Sequence, residues 1–212
     1  MDTRERILQA AARVYAQHGF RGATTRLIAI EAGVNEVSLF RTFGSKAALF
    51  EAMMQTHASS LPVPDLPDVP TDPQAELTPW CDALLTHMRQ WRSIIRKSFG
   101  ELEERPEAAN LMCEGPNCAA EALGAYVARL QAGGLADETA DVATAVSMFI
   151  SSMFGDAIGR DVLPPEALPQ PAEAAPARYV NVFLRAVGAL GAGDAVPLRT
   201  ARDATHRRAV AQ

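Results

Sequence analysis

The residues best equipped for chemistry lie between Thr24 and Lys46, in the stretch TTRLIAIEAGVNEVSLFRTFGSK. The fork of Arg41 suits the hydrogen-bonding edge of guanine, the carboxylate of Glu36 suits a cytosine amino group, and Val37 suits a thymine methyl. Thr24, Thr25, Arg26, Ser38, Thr42 and Lys46 carry hydroxyls or cations of the kind that grip phosphate oxygens, contacts that position without specifying. Lys46 stands where a cation opposes the dipole of a starting helix, and an anion shared with the free N–H groups there explains it better. Plain alternatives stand beside these readings. A solvated lysine costs only roughly a few tenths of a kcal/mol, and an acid at a first helical position already gains from the dipole.

Two short helices must hold these side chains. Thr24 caps the first, which buries Ile28, Ala29 and Ala32, and Gly33 supplies the positive φ that ends it. Asn35 caps the second, Glu36 to Phe43, whose Leu39 and Phe43 face inward while Glu36, Val37, Ser38, Arg41 and Thr42 stay outward. A small residue, a glycine four on and an apolar residue six after that is the spacing of a helix-turn-helix, although an ordinary αα-corner shares the turn. Ahead of it, Thr3 is expected to cap a helix in which Ile7, Leu8, Ala11, Val14 and Tyr15 recur at helical spacing. Gly19 ends that helix and Phe20 folds back over it. Arg4 and Arg6 at its start, and Arg26 beside the turn, could reach phosphates, but the reading preferred for each alone is an ordinary surface arginine. A fourth helix, 46 to about 57, sets Ala47, Leu49, Phe50 and Met53 on one side.

Taken together, RILQAAARVYAQHGFRGATT and IAIEAGVNEVSLFRTFGSKAALF make residues 4–57 resemble the DNA-binding domain of the TetR family of bacterial transcriptional regulators. The resemblance implies a fourth helix that links the reading head to a larger helical domain and moves when ligand binds. It also implies a dimer made by the last two helices. Phe40 stands where the family usually has a tyrosine whose hydroxyl binds a phosphate, so that contact reduces here to packing. Val37 stands where a small residue is frequent, which favours apolar contact over close backbone approach.

A chain of 212 residues has room for a small domain plus a medium one. No run of about 18 apolar residues and no charged-then-apolar leader is read here, predicting a chain neither membrane-spanning nor secreted. Cys81, Cys113 and Cys118 are odd in number and lack framework spacing, as in a reducing cytoplasm. The formal net charge of -5 divides into +2 over residues 1–60 and -7 over the rest, a sign that aims the N-terminal end at phosphates.

Beyond the head, prolines at 62, 64, 67, 70, 73 and 79 predict an extended connector, with helix resuming at Thr78 and Pro79. The stripe Trp80, Leu84, Met88, Trp91 and Ile95 then runs toward Phe99. Helices over 106–113 and 116 to about 132 follow, closed by Gly133 and Gly134, and Asp137 caps another that runs to about 160. On it Ser147, Ser151, Gly155 and Gly159 recur every four residues, a small ridge that lets helices approach closely. With Phe183 and Val187 of a last helix, about 177 to 190, they form the candidate dimer interface. The alternative is a ridge packed within one subunit. Residues 191–212 are expected to be a disordered tail.

No phosphate loop, nucleophile elbow or dinucleotide fingerprint occurs. Cys113 and Cys118 flank Gly115–Pro116 with no histidine at metal-ligand spacing. No enzyme activity, metal or cofactor is therefore expected. Trp80, His87, Met88, Trp91, Met112, Tyr126 and Phe154 are candidate walls of a ligand pocket, aromatic and soft with few polar tips, though each type is also ordinary core. The combined expectation is an all-α protein with three parts. Residues 1–60 are a helix-turn-helix head, 61–190 a ligand-binding and dimerisation domain, and 191–212 a tail. It would be a cytoplasmic homodimer on double-stranded operator DNA, a repressor released by a small-molecule effector. The rivals are a helical small-molecule binder that has lost DNA reading, an enzyme built in the helical pocket around His87 or Cys113, and a metal- or thiol-responsive regulator.

Overall fold

The computed structural model describes residues 2–59, 63–106, 108–168 and 171–189, and the regular structure among them is all helical, as expected. In order come α1 Thr3–Gly22, α2 Thr25–Ala32, α3 Glu36–Phe43, α4 Lys46–Ser59, α5 Pro73–Gly100, α6 Ala108–Ala132, α7 Val142–Gly159 and α8 Ala175–Ala186, with a 3₁₀ turn at Pro165–Ala167. The chain forms two compact units. One holds Met1–Val63 with Thr86–Glu121, the other Pro64–Leu85 with Ala122 onward. The expected head of residues 1–60 thus shares its unit with parts of α5 and α6. The expected tail, 191–212, lies outside the described residues, as does Leu190.

In the first unit the helical spacing of α1 brings Ile7, Leu8, Ala11, Val14 and Tyr15 onto Ile28, Leu39, Leu49, Phe50 and Met53, and Ile94 of α5 joins the same core. Ala47, expected on the inner side of α4, is exposed. Asp2 rather than Thr3 caps α1, because a capping box with Glu5 satisfies two backbone N–H groups at once. Gly19 breaks the helix at φ 67, ψ -178, a conformation close to glycine-only, and one more turn follows to Gly22. The break sends the Phe20 N–H to Glu101 Oε1 at 2.7 Å and lets the Phe20 ring pack on Phe50, centroids 5.1 Å apart. Tyr15 donates to Glu101 Oε2 at 2.9 Å and shares a 2.9 Å hydrogen bond with Ser98. Burial, reinforced by the Glu101 carboxylate, pushes the Tyr15 phenol up to about 12, so it stays a donor.

In the second unit, helix begins earlier than the prolines suggest. Asp72 accepts from the Ala75 N–H at 3.0 Å and Pro73 takes the first position, the same cap-then-proline pattern expected at Thr78–Pro79. Pro79 lies inside α5, and the Thr78 hydroxyl donates to the Gln74 carbonyl at 2.6 Å. Glu76 gathers the Thr71 and Asp72 N–H groups and the Tyr126 hydroxyl, tying α5 to α6. Pro116 likewise lies inside a single α6 where two helices were expected. Asp141, not Asp137, caps α7, while Asp137 holds the preceding turn through the Thr139 N–H at 2.8 Å.

α7 is 18 residues long and apolar enough to cross a bilayer by length and composition, contrary to the expectation of no such run. It packs on α8, with Phe149 against Phe183 at 4.8 Å, and carries the fully buried Asp156. That carboxylate pairs with Arg160 and accepts from the Tyr179 hydroxyl at 2.9 Å, the satisfied network of a core helix. Three dimer candidates face inward here. Phe183 and Val187 are 3% and 0% exposed, and Gly159 is covered by Leu163, whose Cδ1 a Cβ would meet at 2.7 Å. Ser147, Ser151 and Gly155 remain exposed.

Gly19→Ala should be costly, since a Cβ would lie 2.6 Å from Glu101 Oε1 in a conformation L-residues avoid. Urea unfolding should show a loss of about 2–3 kcal/mol with the slope unchanged. A loss below about 0.5 kcal/mol would show that the break is not needed.

Candidate nucleic-acid interface

α2, the turn and α3 are built as their residue types dictate. The Thr24 side chain accepts from the Leu27 N–H at 3.2 Å, and Gly33 closes α2 at φ 63. Asn35 accepts from the Val37 N–H at 2.9 Å, and Leu39, fully buried, anchors the inner face of α3. Val37 is 71% exposed and Phe40 45%, an apolar pair on the outer face beside exposed Arg41 and Thr42. Phe40 has no polar atom to give a phosphate. Its exposed surface is available for packing only.

Several site candidates already have partners within the protein. The Thr25 hydroxyl donates to Glu36 Oε1 at 2.5 Å, which stitches α2 to α3 and occupies both the expected phosphate donor and the expected cytosine reader. Thr42 donates to the Ser38 carbonyl at 2.8 Å, leaving its oxygen only as an acceptor. Lys46 turns back over the Phe20 ring, Nζ 4.4 Å from the centroid and 3.4 Å from the Arg21 carbonyl. Burial, then the charge of Arg105, holds its ammonium below the usual lysine range. Of the phosphate candidates, Thr24 and Arg26 stay exposed and Ser38 is half-buried.

Arg6, read from sequence as an ordinary surface arginine that could reach a phosphate, is instead structural. Its guanidinium donates to the carbonyls of Ala32 and Gly33 at 2.7 and 2.9 Å, clasping the turn from α1. Arg4 lies over the Phe43 ring at 5.6 Å. Leu27 and Ile30 on α2, 41% and 68% exposed, add apolar surface that the sequence reading missed. Their signal was there, since they lie a turn apart and off the Ile28–Ala29–Ala32 face.

The pocket candidates divide between the units. Trp80 and Tyr126 are core of the second, and Phe154 is half-buried there. In the first, Met112 borders a cavity of about 20 Å³, room for about one water, with Tyr15, Phe50, Met53, Met54, Ser98, Arg105 and Ala108. His87 and Trp91 flank His57 of α4, a residue not among the candidates. Ring centroids are 4.1 Å apart for His57–His87 and 3.5 Å for His57–Trp91, with planes within 22°. Burial, then His87, pushes His57 down to about 3, and burial also lowers His87. Cys81 is buried while Cys113 and Cys118 are exposed, all as thiols, and no cluster of metal-ligating side chains occurs among the described residues.

A capped helix-turn-helix with a solvent-facing second helix is the arrangement in which DNA-binding proteins present a recognition helix. Residues 7–53 match the family profile described as bacterial regulatory proteins, tetR family. The chain is 28% identical over 187 residues to the uncharacterized HTH-type transcriptional regulator YvkB of Bacillus subtilis, covering 88% of this chain and 98% of that one. It is 31% identical over 99 residues to the HTH-type transcriptional repressor SCO4008 of Streptomyces coelicolor, about half of each chain (47% and 49%). In fold it is similar to a crystal structure of a putative TetR-family regulator from Mesorhizobium loti, with TM-score 0.71, 19% identity and coverage of 88% and 96%. Residues 7–53 therefore form a DNA-binding domain of the tetR family, in a chain that is similar over most of its length to an HTH-type transcriptional regulator.

Arg26→Ala should weaken binding to all DNA sequences alike and flatten the salt slope by about one unit, whereas Arg41→Ala should relax preference at one base position by about 1–3 kcal/mol. Binding of matched and mismatched duplexes across a salt series checks both. Equal losses on both duplexes for Arg41→Ala would remove it from base reading.

His57 should also mark the pH profile of stability. An unfolded histidine protonates near 6.5 and this one near 3, so the unfolded state binds more protons between them. Stability is therefore unaffected by this group above 6.5 and falls as pH drops toward 3. His57→Phe should flatten that fall in denaturant titrations, and an unchanged slope would contradict the burial of a neutral ring.

Proposed function

We propose that this regulator is a homodimeric repressor that binds a palindromic operator and lets go when a small molecule binds. The observation that carries the reading is α3, whose outer face offers Val37, Phe40 and Arg41 to solvent on a scaffold locked by Arg6, Leu39 and the Thr25–Glu36 bond. Arg41 serves as the guanine reader and Val37 as the thymine contact, with Thr24, Arg26 and Ser38 toward the backbone, and Lys46 reaches a phosphate only by leaving the Phe20 ring. Glu36 reads a base only by giving up Thr25.

The dimer reading is supported by α7 and α8. Ser147, Ser151 and Gly155 lie exposed on α7 near Met148 at 66%, and α8 adds Val182 at 67%. Small residues beside exposed apolar ones suit close packing against a second copy. Two copies would set half-sites roughly 34–36 Å apart, or a multiple of that. Residues 1–60 act as the reading head and 61–190 as the ligand-binding and dimerising part, in a cytoplasmic protein without catalytic activity. The Streptomyces coelicolor repressor named above favours repression as the sign of control.

Sequencing genomic fragments retained by the purified protein, followed by mobility shift on the selected site, tests this reading. Two protomers should bind each palindrome, and a single half-site should bind at least about tenfold more weakly. Selection of no common sequence, or full affinity on one half-site, would overturn it.

A further inference from the structure

Helix α5 presents two nearly parallel rings one turn apart, His87 and Trp91, with centroids 6.4 Å apart and planes at 25°. This is close to twice the separation of stacked rings, so the pair forms a slot for one flat group. In this structure the occupant is the protein's own His57, projected from the C-terminal half of α4. The slot has an unmet polar demand as well. His87 is 7% exposed, and its Nε2 is buried without a hydrogen-bond partner. A buried group of this kind costs free energy that a ligand donor or acceptor would recover. His57 and Trp91 are only half-buried, so the slot can be reached from solvent.

We propose that the His87–Trp91 slot is the binding site of a flat, uncharged aromatic or heteroaromatic effector, which displaces His57 and hydrogen-bonds His87 Nε2. A fused ring system covers more of both walls than an imidazole does, and the low-dielectric site favours a neutral ligand. Displacement is felt at the reading head through α4 itself. The Phe50 ring of that helix packs on Tyr15 of α1 at 5.0 Å, and α4 starts just after the Gly44 that ends α3. One turn from His57, Met53 and Met54 border the small cavity, soft side chains that can repack around the incoming ring. The proposal rests on the ligand-released reading given above.

The test uses the full chain and 2-naphthol, a neutral fused aromatic with one hydroxyl, followed by its fluorescence anisotropy without DNA. His57→Ala, which empties the slot beforehand, should bind 2-naphthol about tenfold more tightly than the native protein. Trp91→Ala should bind it about tenfold more weakly or worse, while Trp91→Phe, which keeps a ring, should stay within about threefold. Decahydro-2-naphthol, the saturated counterpart, should not compete. Equal affinity in native, His57→Ala and Trp91→Ala proteins of the same helicity would overturn the proposal, as would competition by the saturated compound or no binding to His57→Ala. A protein that binds 2-naphthol in this pattern yet keeps its operator when saturated supports the slot and counts against ligand release. A protein that fails the pattern overturns the slot and leaves release by another ligand intact.

Discussion

The carboxylate of Glu101 receives the Phe20 amide on one oxygen at 2.7 Å and the Tyr15 hydroxyl on the other at 2.9 Å. Both donors belong to the C-terminal part of α1, and the Phe20 amide depends on Gly19, whose glycine-type conformation turns it away from the helix. Around this carboxylate Arg105 lies over the Phe20 ring at 3.5 Å and Lys46 covers the ring at 4.4 Å. The start of α4 is thus fixed to the end of α1 by stacked cations rather than by exposed ion pairs such as Arg21–Glu104, which contribute little. The position of α3, joined to α4 by a single short turn, follows from that fixing.

The reading surface shows the same economy of contacts. Arg6 reaches across from α1 to hold the carbonyls at the end of α2, and Thr25 with Glu36 closes the other side of the turn. Polar groups that would otherwise face solvent at the turn are used to make it rigid. What remains outward on α3 is a short strip of hydrocarbon from Val37 and Phe40 with the guanidinium of Arg41 beside it, and on the proposed function rigidity of the turn would give that strip a fixed register against base edges.

Much of the head was legible in the sequence because local chemistry decides it. Thr24, Gly33 and Asn35 cap as their types require, and Ile7, Leu39 and Phe50 bury where helical spacing places them. The errors came where two local rules competed or where a partner lay far along the chain. Asp72–Pro73 and Thr78–Pro79 both spell a helix start, and the earlier one wins because Glu76 binds the Thr71 and Asp72 amides. Pro116 was read as a boundary, yet a helix accommodates it. The ridge on α7 was visible as a period of four, but the sequence gives no sign that Leu163 folds over Gly159. Arg6, Glu101 and His57 were missed as organising residues, since their partners lie 26 residues away or more for Arg6 and on another helix for His57 and Glu101.

The exposed hydrocarbon of Val37 and Phe40 has a consequence for how the regulator behaves as the cell's ionic content changes. Attraction to phosphates derives from displaced counterions and fades as salt accumulates, on random DNA as on the operator. Contact between a side-chain methyl and a thymine methyl displaces water instead, and this part persists. On the proposed function, therefore, grip on arbitrary chromosome would weaken under osmotic stress faster than preference for the right site, and discrimination would sharpen as total affinity declines.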